Sequence, residues 1–206
     1  MHDCCSSKGK ELEILARRAD QKKVLQLVLI LNAAMFVLEF GAGIVAGSVA
    51  LMADSVDMFG DALVYGVSLY AIARSDRWKA GVAFAKGLFI LVVGIGIVVQ
   101  MAVKIETGVP PSSTLMLVFG AMALAVNFTC VRLLWRFRAQ DVNMSSVFEC
   151  SRNDAISNVG VLIAAGAVAA TASPWPDLAV GAIIAAIFLR SAFKVMGSAL
   201  PSLRTA

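Results

Sequence analysis

A chain of 206 residues that is 59% hydrophobic and only 16% charged, with a mean hydropathy of +0.82, is too apolar for an ordinary soluble domain and reads as an integral membrane protein. The length suits one bundle of about six spanning helices of roughly 20 residues each and leaves no room for a second folded domain. In such a chain the net charge of +4 carries orientation rather than marking a nucleic-acid partner.

Residues 1–23 form a polar, basic lead-in, with a short amphipathic helix expected over 11–18. The first apolar run starts too late for a cleavable secretory signal, so none is expected. His2, Cys4 and Cys5 make a compact group of soft ligands here. They read either as a cytosolic metal-capture site or as an unstructured tail with reactive thiols, since two adjacent cysteines do not complete a tetrahedral site. No cysteine spacing suggests a disulfide framework.

Six spans are predicted, over residues 24–46, 49–73, 81–103, 114–137, 144–170 and 178–196, forming a transmembrane domain over 24–196 and a short tail over 197–206. The turn at Gly47 and Ser48 is so tight that the first two spans must be antiparallel neighbours. Pro110 and Pro111 stop the third span, and Pro174 and Pro176 follow the fifth. Ala50, Ala53 and Gly60, with Ser157, Gly160 and Ala164, are small enough for close helix approach. Lys22 and Lys23, Arg74 and Arg77, Arg132 and Arg136, and Arg190 and Lys194 all fall on one side of this topology, whereas the opposite loops hold only Lys104. The positive-inside rule therefore puts both termini in the cytosol of an all-α, multi-pass protein of the cell (inner) membrane.

The second span carries Asp54, Asp57 and Asp61. A carboxylate near the middle of a membrane helix costs roughly 2.5–3.5 kcal/mol on insertion scales, so three in one span need a common reason. Asp57 and Asp61 are one turn apart on one face, with Asp54 a turn earlier. The fifth span holds Cys150 and Asp154 at the same four-residue step. By helical rise, Asp57 and Asp61 lie about 12 and 18 Å below the outer end, and Cys150 and Asp154 about 9 and 15 Å above the inner end. In a hydrocarbon core of about 30 Å the two pairs meet near the middle. Three oxygens and one thiolate suit a borderline divalent ion such as Zn²⁺, with Cd²⁺ or Co²⁺ plausible, better than Mg²⁺ or Ca²⁺. Binding displaces protons from such ligands, so metal and protons compete for one site, the minimum chemistry of an antiporter.

This pattern, SVALMADSVDMFGD followed by CSRNDAISNVGVL, resembles the cation diffusion facilitator family of zinc and divalent-metal transporters. The resemblance implies ligands at Asp57, Asp61 and Asp154, and a fourth at Cys150 where the family usually has His. It also implies export from the cytosol, driven by inward proton movement through alternating exposure of a midplane site. The family usually adds a cytosolic metal-binding domain after the sixth helix; this sequence stops at Ala206, so only the transmembrane part is expected. Many members carry a His-rich fourth loop, which is absent here.

The other polar residues take supporting parts. Asp54 is assigned to helix bonding or to support beside the ligands, and Glu39, sharing a face with Asn32, either to the ion path or to bonding between helices. Asn127, Asn153 and Asn158 are read as packing or supporting groups, and Cys130 as core. The expected partners are a divalent metal ion, protons and the lipid bilayer, with no nucleic acid, and a homodimer is a reasonable assembly. No cofactor is expected, and nothing resembles an enzyme's nucleophile–base pair or phosphate loop. The rival readings are a non-transporting module that senses or binds metal, and a cation channel with an acidic ring.

Overall fold

The structure, a computed structural model, describes the backbone of residues 3–70, 76–138 and 142–204, with side chains over most of 19–63, 84–138 and 148–197. His2 lies outside the described residues. Cys4, Cys5, Asp61 and Cys150 fall on described helices, but their side chains are outside the described set.

Six helices follow one another: α1 (Asp3–Ala46), α2 (Val49–Tyr70), α3 (Asp76–Thr107), α4 (Ser113–Trp135), α5 (Val142–Thr171) and α6 (Trp175–Arg204). There is no strand among the described residues. The count and order are those predicted. Two ends differ. The lead-in expected to hold a separate short helix is continuous with the first span, and the expected tail is helical as far as Arg204. Polar composition alone does not end a helix: α1 runs through Gly9 of the lead-in, and α6 runs past Gly197 and Pro201 to Arg204.

Helices α1 and α2, α4 and α5, and α3 and α6 pack as three close pairs, and α2 touches all five other helices. That central position explains its burial pattern: from Val49 through Val56 every residue is buried, with no solvent-side stripe. Outside the core, Ile30, Val37, Val92, Phe128, Ile163 and Ile187 lie exposed, spread over α1, α3, α4, α5 and α6. An apolar belt of this kind is what a lipid-facing surface requires. Among the described residues four stretches are long and apolar enough to cross a membrane: Ala19–Ala46, Gly87–Thr107, Ser113–Trp135 and Ser151–Thr171.

The α1–α2 turn closes with Gly47 at φ +64°. Its amide donates to the Ile44 carbonyl and that of Ser48 to the Gly43 carbonyl, a Schellman ending that satisfies the last carbonyls of α1. A side chain at position 47 would be strained in this backbone conformation. At Gly181 the need is space: an added Cβ would sit 2.6 Å from Val49 Cγ1 and 3.0 Å from the Ala50 amide nitrogen. The start of α6 thus lies directly against the start of α2.

Asp177 is what α6 brings there. Its carboxylate is fully buried and accepts from Ser48 Oγ (2.6 Å), the Val49 amide (2.9 Å), the Ala50 amide (3.0 Å) and Lys104 Nζ (3.2 Å). Lys104 also donates to the Gly47 carbonyl. One side chain therefore caps α2, anchors the turn and pairs with α3. Lys104, read from sequence as a loop charge, is instead a buried partner. Breaking a buried pair from one side typically costs about 3–5 kcal/mol, because the other charge stays behind. Asp177→Ala, which strands Lys104 and two amides, is expected to lower the melting temperature in detergent more than Lys104→Met, which leaves Asp177 three donors. Thermal unfolding of the two variants side by side checks this order.

Candidate metal centre

The three acids of α2 follow one helical stripe. Asp54 is 1% exposed and Asp57 half-buried; Asp61 follows one turn on, its side chain outside the described set. On α5 the buried stripe runs Phe148, Ser151, Asp154, Asn158, Val161 and Ala165, and Asp154 is 3% exposed. Asn158 Nδ2 donates to the Asp154 carbonyl at 2.8 Å, which holds Asn158 against the helix on that same face. The charged pair Arg152–Glu149 occupies the opposite, exposed face, and Asn153 is exposed as well. So α5 divides its polar residues: Asp154 and Asn158 inward, Glu149, Arg152 and Asn153 outward.

Helices α2 and α5 pack against each other. Of the predicted quartet, then, Asp57 and Asp154 stand on adjoining helices, while the side chains of Asp61 and Cys150 are outside the described set. Among the described residues no group of three or more His, Cys, Asp or Glu side chains is close enough to hold a metal ion.

The structure brings together a pair that the sequence reading kept apart. Glu39 of α1, 0% exposed, meets Asp54 of α2 side chain to side chain, and Asp57 lies within electrostatic reach of Asp54. No hydrogen-bond donor reaches any of the four oxygens of Glu39 and Asp54. Two ionised carboxylates offer only acceptors, so they can share this space only around a proton or a cation. A signal for the contact was present in the spacing. Glu39 precedes Gly47 by eight residues and Asp54 follows it by seven, which puts both about 11 Å from a tight antiparallel turn.

Further towards the basic end, Asn32 donates to the Val28 carbonyl at 2.9 Å and faces Cys130 Sγ at 3.9 Å. Cys130 is fully buried between α1 and α4, a core residue as its surroundings imply. Asn127, also fully buried, has no hydrogen-bond partner for either polar atom of its side chain.

A helical bundle with a lipid-facing belt and carboxylates packed inside it defines a multi-pass membrane protein built to hold charge in its interior. Comparison with known proteins gives the family. The cation efflux transmembrane domain matches residues 25–204, and the chain belongs to that family. It is similar to the metal cation efflux system protein CzcD of Cupriavidus metallidurans, 23% identical over 199 residues covering 87% of this chain and 63% of the relative. It is also similar to the cation efflux system protein CzcD of an Alcaligenes strain, 23% identical over 87% of this chain and 60% of the relative. A third relative is the cadmium, cobalt and zinc/H(+)-K(+) antiporter of Bacillus velezensis, at 22% identity over 84% of this chain and 60% of that protein. The chain thus spans about 60% of the length of these relatives.

The Glu39–Asp54 contact has a direct test. In a cysteine-free background, Glu39→Cys with Asp54→Cys is expected to cross-link rapidly with a short bifunctional methanethiosulfonate. Moving the first cysteine to the exposed Val37 should abolish the product, read as a shift in electrophoretic mobility with and without reductant.

Proposed function

We propose that this chain is the transmembrane part of a divalent-cation exporter. It binds a zinc-class ion between α2 and α5 through Asp57, Asp61, Cys150 and Asp154, and exchanges that ion for protons. The observation that carries the reading is the presence of a half-buried Asp57 and a buried Asp154 on adjoining helices, within a chain of the cation efflux family. Acids inside an apolar bundle are costly unless paired, protonated or bound to a cation. A site that alternately holds a metal ion and protons avoids that cost in both states.

The names of the relatives support the chemistry: two are efflux proteins, and one is an antiporter of cadmium, cobalt and zinc. A thiolate at Cys150 in place of an imidazole inclines the site towards thiophilic ions. Cytosolic termini follow from the basic residues at the α2, α4 and α6 inner ends, and export then runs from that face to the other. Asp54 and Glu39 sit beside the ligands, where their shared proton or cation keeps α1 in step with α2. Residues 1–23 stand as the cytosolic approach, with His2, Cys4 and Cys5 as a capture group ahead of the site.

Proteoliposomes enclosing a pH-sensitive dye test this reading against its rivals. Zn²⁺, Cd²⁺ and Co²⁺ should enter saturably, with proton counterflow, and a pH gradient should accelerate entry. Asp57→Ala or Asp154→Ala should reduce flux at least about a hundredfold, because loss of an outer-shell partner of a ligand alone typically costs about 10–100-fold and loss of a ligand costs more. Tight metal binding without flux would instead identify a sensing module, and unitary conductance a channel. Cys150→His should keep zinc transport while weakening the preference for Cd²⁺ over Zn²⁺; an unchanged ranking would remove the thiol from the ligand set.

A further inference from the structure

At the basic end of the bundle, α4 carries two arginines whose surroundings the transport chemistry does not use. Phe128, Val131, Arg132, Trp135 and Arg136 line an open hollow of about 520 Å³ on one flank of α4. Their spacing, i, i+3, i+4, i+7 and i+8, makes them one stripe of the helix. A second hollow of about 620 Å³ lies on the flank facing α1, shares Arg132 and Arg136, and adds Lys23 and Asp20. The two guanidinium groups therefore stand on a ridge between two grooves, with three cations and one acid around it.

Depth makes this arrangement costly without a counter-charge. Arg132 lies inside the stretch Ser113–Trp135, which is apolar enough to span a membrane, three residues deeper than Trp135. Among the described residues neither Arg132 nor Arg136 has a carboxylate partner; Arg136 rests against the Phe137 ring at 5.5 Å. Trp135 is held in place. The Arg138 guanidinium stacks on its ring at 3.8 Å and donates to its carbonyl, and Phe148 meets it edge-on. Such a fixed, half-exposed tryptophan marks the interfacial level of the bilayer. Below it, Phe128 is 64% exposed and offers a bare apolar wall.

We propose that this ridge is a binding site for an anionic glycerophospholipid. The lipid phosphate lies between Arg132, Arg136 and Lys23, and an acyl chain runs down the groove past Trp135 and Val131 to Phe128. Arginine suits the head because its planar donor fork matches phosphate oxygens. The apolar wall selects the source: a free phosphate satisfies the guanidiniums but leaves Phe128 and Val131 uncovered, whereas a lipid covers both. Asp20 weakens the field of the second groove and leaves it net positive. The site stands on the membrane placement of the chain and is independent of its transport function.

Trp135 is a built-in reporter. The full chain, with Trp78→Phe and Trp175→Phe, would be reconstituted in bilayers doped with brominated phosphatidylglycerol or brominated phosphatidylcholine, and tryptophan quenching compared. Quenching by the anionic lipid should set in at a mole fraction about tenfold or more below that of the zwitterionic one at low salt, given roughly fivefold per basic residue near a surface. Arg132→Gln with Arg136→Gln should bring the two lipids within about twofold of each other. Lys23→Gln, on a different helix, should lower the preference partway; it carries the test if the double variant does not reconstitute. Equal quenching in the unmodified ridge, or a preference untouched by these substitutions, would overturn the proposal. Displacement of the brominated anionic lipid by millimolar inorganic phosphate would also overturn it, making the ridge a site for free anions.

Discussion

Carboxylates inside an apolar bundle are the constraint that orders this protein. An acid near the middle of a membrane helix costs roughly 2.5–3.5 kcal/mol on insertion scales, and Glu39, Asp54 and Asp154 are all buried on helices that pack together. The chain keeps buried acids in two distinct ways. Asp177 has four donors, including a lysine and two helix-capping amides, and is complete as it stands. Glu39 and Asp54 face each other with no donor from the protein, and two acceptor-only carboxylates need a proton or a cation between them. The first kind of acid locks helices together; the second kind leaves room for a proton or a cation.

The two kinds meet at one hairpin: Glu39 and Asp54 lie on its two arms, and Asp177 reaches its turn from α6. The turn at Gly47 sets the register of α1 against α2, and Asp177 clamps that turn to α6 while Lys104 ties it to α3. With the turn fixed, Glu39 and Asp54 have no freedom to slide apart. α2 touches every other helix, so its acidic stripe lies at the centre of the bundle. The proposed exchange would use α2 as a central helix braced at one end.

Much of this was legible in the sequence, for identifiable reasons. Six helices follow from hydropathy and from the prolines at 110, 111, 174 and 176, because a membrane allows few alternatives to the helix, and four of them are apolar enough among the described residues to cross one. The four-residue steps Asp57–Asp61 and Cys150–Asp154 are local and survive any detail of packing. What escaped was long-range or competed with a simpler rule. Lys104 was assigned by the positive-inside count to a loop, where charge alone is scored; its burial depends on Asp177, 73 residues away. Glu39 was seen as a face-sharing polar residue, and only the symmetry of positions 39 and 54 about the turn shows that they meet. The helical continuation at both ends of the span region was missed because polar sequence was read as a boundary, whereas α1 starts at Asp3 and α6 passes Gly197 and Pro201 as far as Arg204.

The account turns on whether Cys150 completes a metal site with the aspartates of α2 and α5. X-ray absorption at the zinc edge, on the purified full chain with one equivalent of Zn²⁺, measures this most directly. The prediction is one sulfur at about 2.3 Å with oxygens at about 2.0–2.2 Å, and loss of the sulfur in Cys150→Ser. A coordination shell of oxygen and nitrogen alone in the unmodified protein, or a sulfur that persists in Cys150→Ser, would contradict it.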